Sequence, residues 1–491
     1  MQDKYIRETN NYDKSNSMLD RRTFEFASQR PTVIMDNNKL LEQYNAYSNK
    51  HTKINNNNNN KNIGEITGTL FDISGIDKGM PMRSSCGFSK KKNNEDDKGR
   101  NRLTDFDIFN DENEPNLQID YYDPDGGKTC VFDEMMENTT MGASDPIDQS
   151  NYIINDFNWY MFDNIKNLMN NSTFFSPFSI ILLMTGLYMS SGGTSETTLT
   201  EYFNFPEKHV MSQGIFQLTD NVNKSKCLDI RSVILVGNNN NINMNFVNYI
   251  NRYITIFKLN NNDEIIESKK INEWFNNIYG SLLGNVLSSN HIRNLNITCL
   301  SAGILRTVWK IPFEKTIKLN GNKEFMYNNS KTYDYYEDNI VQVIDIPLYD
   351  DIISMGIVLP KSDSGSLPNL TYRQYTMYTN NLRSLNIDEI AIPKFNQHSK
   401  IRTSSILKKT GLGNIFDKIE VPEFIKNNTN ISDFVQNIYL IVENKYLNTQ
   451  SHNYNGGAKT NIKFVASKPF IYYFRCVITN TIIITGQYLF I

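Results

Sequence analysis

Phe174-Phe175-Ser176-Pro177-Phe178-Ser179, continuing through Ile180-Ile181-Leu182-Leu183-Met184 to Met189, is the longest apolar run in the chain. It falls short of the ~20 apolar residues that cross a bilayer, and Pro177 and Ser179 interrupt it. The sequence therefore reads as a polar turn feeding an uncharged helix, and no transmembrane segment is expected. Around this stretch the rest of the chain sorts into two unlike parts.

Residues 1–150 are polar and of low complexity. They hold the asparagine run at residues 55–60 and the basic cluster Lys90-Lys91-Lys92. Residues 1–103 carry 18 Lys/Arg against 13 Asp/Glu, whereas residues 104–150 carry only Lys128 against 13 acidic residues. Such a segment buries too little apolar surface to offset its ordering entropy, so a largely disordered head is expected. Residues 63–76 are an apolar island with strand or hairpin character. The cluster at Lys90 is read as a solvated charge run rather than a nucleic-acid patch.

Residues 151–491 differ in kind. Apolar residues recur at helical spacing over 152–169 and again over 265–283. Strand-like runs follow in Ser232-Val233-Ile234-Leu235-Val236, Met355-Gly356-Ile357-Val358-Leu359 and Thr481-Ile482-Ile483-Ile484-Thr485. Helices gather early and strands late, which predicts an α+β domain rather than a doubly wound parallel sheet.

The whole chain sets further bounds. Its 491 residues carry a net charge of −3, which argues against a globally basic nucleic-acid binder. Five scattered cysteines with no CxxC pair fit a reducing compartment better than a disulfide framework. Residues 1–17 have no apolar core of a signal peptide, so an intracellular location is expected. Asn-x-Ser/Thr triplets such as Asn171-Ser172-Thr173 and Asn296-Ile297-Thr298 are attributed to the abundance of asparagine.

Several segments, in chain order, resemble the serpin family. Phe174-Phe175-Ser176-Pro177-Phe178-Ser179 and its helix resemble that family's shutter turn and buried helix. Ser191-Gly192-Gly193-Thr194, with Leu199 and Phe203, matches the next turn and helix. Ile271-Asn272-Glu273-Trp274-Phe275 resembles the helix that covers the main sheet. Trp309-Lys310-Ile311-Pro312-Phe313 with Thr316 matches the segment after a central strand. Ile346-Pro347-Leu348-Tyr349, Leu359-Pro360, Ile392-Pro393-Lys394-Phe395 with Gly411-Leu412 and Phe416, and Phe464, Pro469-Phe470 and Gly486 complete the series. Departures are Ser172 and Ser301 at two usual asparagines, and Leu305 and Thr307 at the usual Phe and Gly before Trp309.

The resemblance implies a serpin-like fold with a large central β-sheet, further sheets and about eight or nine helices. It also implies an exposed reactive loop over residues 443–463. In an inhibitory serpin a protease cuts this loop, whose N-terminal half then inserts as a new strand of the central sheet. The family's hinge runs Glu, a Gly two residues on, Thr, then alanines. Here the hinge reads Glu443-Asn444-Lys445-Tyr446-Leu447-Asn448-Thr449. Lys445 takes the glycine position and Tyr446 the threonine position; a shift of one puts Tyr446 and Leu447 there. Neither register supplies a glycine or alanine, and polar side chains buried unpaired on insertion cost about 1–3 kcal/mol each. The sequence therefore predicts a serpin-like protein without protease-inhibitor activity, in a binding or structural role. The alternative is an active inhibitor of a serine or cysteine protease. By the family's spacing the scissile position falls at Lys459 or Ala458, next to Thr460. Lys459 would select a trypsin-like protease as partner.

Other chemistry is not supported. Asp120 to Gly126 superficially suggests a calcium loop, but Tyr121 and Phe132 stand where its first and twelfth ligands belong. The five histidines lack metal-site spacing, and GxSxG, P-loop and GxGxxG patterns are missing. No enzymatic activity, catalytic residue, metal or cofactor is expected, nor a nucleic-acid or membrane partner. Trp274 and Trp309 are read as core residues. Asparagine-rich low complexity on such a domain resembles proteins of large DNA viruses or AT-rich protists; a viral origin would imply a host-cytoplasm or virion location.

Overall fold

The computed structural model describes residues 145–490 other than 169–171, 260–262, 363–365 and 447–459. The polar head and the island at 63–76 lie outside the described residues. The first helix, Pro146–Leu168, begins several residues before Tyr152. Asp145 starts it by accepting from the Ile147 amide at 2.9 Å, and Pro146 occupies its first turn, where no intrahelical donor is required. Ile153, Ile154, Phe157, Met161, Phe162 and Ile165 form its buried stripe.

The apolar run becomes helix Pro177–Ser190. The Ser176 hydroxyl caps it by accepting from the Ser179 amide at 3.3 Å. Every residue of this helix except Met189 is buried. It is apolar all round because protein surrounds it on every side.

The strands, in chain order, are β1 (Thr173–Phe175), β2 (Leu228–Val236), β3 (Ile254–Lys258), β4 (Ile297–Arg306), β5 (Lys315–Leu319), β6 (Lys323–Glu337) and β7 (Val341–Pro347). After them come β8 (Ile353–Pro360), β9 (Arg383–Pro393), β10 (Phe395–Arg402), β11 (Ile431–Val442), β12 (Lys463–Val465), β13 (Phe470–Cys476) and β14 (Thr481–Tyr488). The three strand runs expected from sequence fall within β2, β8 and β14. The helical pattern at 265–283 becomes helix Glu264–Tyr279 and the 3₁₀ turn Gly280–Leu283. Among the described residues there are eight α-helices of five or more residues and two of four. The α+β fold with a large central sheet and further strands is as the sequence predicts.

Two sheets organise the molecule. The central one is five-stranded, in the order β10-β11-β4-β2-β3. The second runs β1-β14-β13-β8-β7-β6-β9-β12, with β5 paired to β6. Both faces of the central sheet are covered, which is why its strands are nearly continuous apolar runs rather than alternating ones. Ile234 and Val236 of β2 point into the larger core, shared with the second sheet and helix Pro177–Ser190. Val233 and Leu235 point the other way, against Ile271, Phe275 and Tyr279 of helix Glu264–Tyr279. Asn272 ties that helix down. Its Oδ1 accepts from the Val286 and Leu287 amides at 2.8 and 3.0 Å, and its Nδ2 donates to the Leu287 carbonyl at 2.7 Å.

Candidate reactive-loop site

The functional geometry centres on the seam between β4 and β11. These strands run parallel and pair directly, from Ile431 opposite Ile297 to Ile441 opposite Arg306. A strand inserted between them would have to part that whole ladder. Midway along it, Gln436 stands opposite Ser301. Its Nε2 donates to the Ser176 carbonyl at 2.8 Å and to the Ser179 hydroxyl at 2.9 Å, while its Oε1 accepts from the Ser176 amide at 3.1 Å. The Ser179 hydroxyl in turn donates to the Ser301 hydroxyl at 3.0 Å, and the Ser176 hydroxyl to the Ile483 carbonyl at 2.7 Å. All four polar side chains are buried, so each satisfied group avoids a desolvation penalty of about 1–3 kcal/mol.

The sequence departures find local roles here. Ser301, at a usual asparagine, joins β4 to this network by accepting from the Ser179 hydroxyl. Ser172 closes the end of β14 from the other side: its hydroxyl accepts from the Leu489 amide at 2.9 Å and donates to the Leu489 carbonyl at 3.2 Å. Leu305 enters the larger core.

Thr307 and Trp309 hold the first residues of the expected hinge. The Trp309 indole Nε1 donates to the Glu443 carbonyl at 2.8 Å, and the Thr307 hydroxyl both accepts from the Glu443 amide at 3.2 Å and donates to its carbonyl at 3.3 Å. The Trp309 amide donates to the Lys445 carbonyl at 2.9 Å. Asn444 Nδ2 donates to the Phe313 carbonyl at 3.3 Å, and Arg306 lies 3.8 Å from the Glu443 carboxylate. The first hinge residues are thus bound outside the sheet, along the segment that follows β4. Tyr446 is exposed. Leu447, Asn448 and Thr449 lie outside the described residues, as do Ala458 and Lys459.

The far end of the loop is also anchored. Thr460 and Asn461 present successive amides to the Asp388 carboxylate of β9, at 3.4 and 2.7 Å. Asn461 adopts φ 63°, and successive amides in such a turn form an anion-binding nest. The Thr460 hydroxyl donates to the Asn386 carbonyl, and the Asp388 amide to the Ile462 carbonyl at 2.9 Å. Beyond it β12 joins β9 in parallel. Lys463 pairs with Glu389 at 2.8 Å, which raises its pKa above the ordinary lysine value.

The expected loop falls largely outside the described residues, and of the two tryptophans read as core residues Trp274 is half-buried against the smaller core. Trp309 is buried as expected, and its indole N–H also serves the hinge. Gln436 and Asp388 were missed. The available signal for Gln436 was a polar residue inside the run Phe434-Val435-Gln436; Asp388 carried none. Among the described residues no helix is long and apolar enough to cross a membrane.

Comparison with known proteins agrees with this fold. The family model described as Serpin (serine protease inhibitor) matches residues 152–490. A serpin-like protein of Acanthamoeba polyphaga mimivirus is 24% identical over 375 residues, covering 70% of this chain and 90% of the relative. Serine proteinase inhibitor 1 of variola virus is 24% identical over 362 residues, covering 67% and 95%. Among solved structures, maspin superposes with a TM-score of 0.64 at 18% identity, covering 70% of this chain and 99% of maspin. Uncleaved ovalbumin superposes with a TM-score of 0.59 at 14% identity, covering 69% and 98%.

Proposed function

Because this chain belongs to the serpin family, we propose that it presents a cleavable loop to a trypsin-like protease at Lys459 without trapping that protease. The observation that carries this reading is the hinge. Residues Glu443 to Lys445 are bonded to Thr307, Trp309 and Phe313, outside the central sheet. Insertion would break those bonds, part the β4–β11 ladder and bury Lys445 or Tyr446 where small residues belong. A lysine ammonium buried without a partner costs several kcal/mol. Slow insertion leaves time for the acyl-enzyme to hydrolyse, so the loop behaves as a substrate. The protein then serves as a binding or structural module.

The test is incubation of the full chain with trypsin, followed by denaturing electrophoresis and melting of the cleaved product. Clean cleavage after Lys459, with no SDS-stable complex and no large rise in Tm, is expected. A stable complex would establish inhibition and overturn this reading.

A further inference from the structure

We propose that Asp388 is a receptor for the new α-ammonium that forms at Thr460 when the chain is cut between Lys459 and Thr460. The inference rests on the reading of Lys459 as the cleavage position, and its geometry is independent of whether the protease is trapped. In the intact chain the Asp388 carboxylate is held by neutral donors. These are the Thr460 amide at 3.4 Å and the Asn386 amide group at 3.2 Å on Oδ1, and the Asn461 amide at 2.7 Å on Oδ2. One of these nitrogens is the atom released by cleavage.

When a serine protease attacks the Lys459 carbonyl carbon, the bond from that carbon to the Thr460 nitrogen breaks. The acyl group passes to the protease serine, and the protease imidazolium gives its proton to the leaving nitrogen. The resulting amine takes a second proton from water and becomes an ammonium. It is then a cation within hydrogen-bonding distance of a carboxylate, a pairing roughly twice as strong as the neutral bond it replaces.

The surrounding charges leave this role to Asp388. Glu389, next along β9, is occupied by Lys463. Lys463 also faces Asp388 and Tyr327, but its ammonium sits on Glu389. On β6, Lys331 stands opposite Ile387 and pairs with Glu314 at 3.1 Å. The consequence is mechanical. β12 has only three residues and loses its covalent tether on the loop side once the chain is cut. The new ion pair replaces that tether and keeps β12 on the edge of the sheet. A paired ammonium also has no lone pair with which to attack an acyl carbon and re-form the bond.

The experiment compares the full chain with Asp388→Asn after cleavage by trypsin, with the Thr460 terminus identified by mass spectrometry. The rate of acetylation of that amine by limiting acetic anhydride at pH 7 is the readout. An opposite charge this close raises an amine pKa by about one unit or more, so the amine of the cleaved wild-type protein should react about tenfold more slowly than that of Asp388→Asn. Equal rates would overturn the inference. Absence of the Thr460 terminus would instead refute the Lys459 reading. The same terminus is then generated by replacing residues 454–459 with the recognition sequence of a site-specific protease, and the same comparison decides. A second measurement needs no variant. The raised amine pKa stabilises the cleaved form below the unfolded amine value of about 8 and loses that effect as pH rises through the folded value. The Tm of cleaved protein relative to intact protein should therefore fall between about pH 8 and 10. A flat difference would also overturn the inference.

Discussion

The indole Nε1 of Trp309 and the carbonyl oxygen of Glu443 lie 2.8 Å apart, a hydrogen bond across 134 residues of sequence. It joins the third residue after β4 to the first residue of the expected loop hinge, at the place where an inserting strand would have to enter. Replacing Trp309 by Phe keeps an aromatic ring and removes the donor. The expected result is a loss of about 1 kcal/mol, read as a lower Tm, together with faster tryptic cleavage after Lys445. Unchanged cleavage there would show that the indole does not hold the hinge.

Gln436 is expected to be the most sensitive polar side chain of the seam. Gln436→Ala leaves the buried Ser176 amide without its partner, which costs about 1–3 kcal/mol, and also removes one of the donors to the Ser176 carbonyl, which keeps the Ser179 hydroxyl at 3.2 Å. Chemical denaturation should show a loss of about 2–5 kcal/mol. Ser301→Ala removes one hydroxyl contact only and should cost about 1 kcal/mol. Equal costs for the two would mean that the amide does not tie β11 to the turn at Ser176.

Lys445→Gly combined with Tyr446→Thr and Leu447→Ala installs the small hinge that the family pattern calls for. Gly at 445 tolerates backbone angles that a β-carbon opposes, and the burial of a lysine ammonium is removed. The triple variant should gain a measurable fraction of SDS-stable complex with trypsin and a raised Tm after cleavage. A variant that remains a plain substrate would place the barrier in the β4–β11 ladder instead of the hinge.

His398, on β10, gives the stability a defined pH dependence. Its Nε2 lies 2.6 Å from Asn437 Oδ1, and burial holds its pKa below 6.5. The unfolded chain therefore binds more protons than the folded one between the lowered value and about 6.5. Stability falls as pH drops through that window. A Tm series from pH 7.5 to 5, at values of about 0.5 unit spacing, should show this decrease. His398→Gln should remove that component, and an identical profile in the variant would assign the decrease to other groups.

Two strand neighbours show why packing was partly legible beforehand. Gly356 on β8 was visible only as a glycine inside an apolar run, and the structure supplies its reason. A β-carbon there would meet the Tyr473 ring at 2.0 Å, because Tyr473 is its cross-strand partner on β13. The run fixed the strand, and the pairing gave the glycine its purpose.

What the sequence determined by itself was local and compositional. The apolar run after the Ser176 turn specified an uncharged helix. The period of apolar residues separated helices from strands, and the stretch from Glu443 to Thr449, expected to be the hinge, contains no glycine or alanine. Those properties are carried by neighbouring residues, so a window of sequence contains them. The tertiary structure decided the pairing of Gln436 with Ser176, 260 residues away, and the seating of the Thr460 and Asn461 amides on Asp388, more than 70 residues away. A hydrogen bond of that span depends on the register of two strands and on which faces they turn inward. That information arises only when the sheets assemble, because one residue of slip would carry each of these side chains to the opposite face.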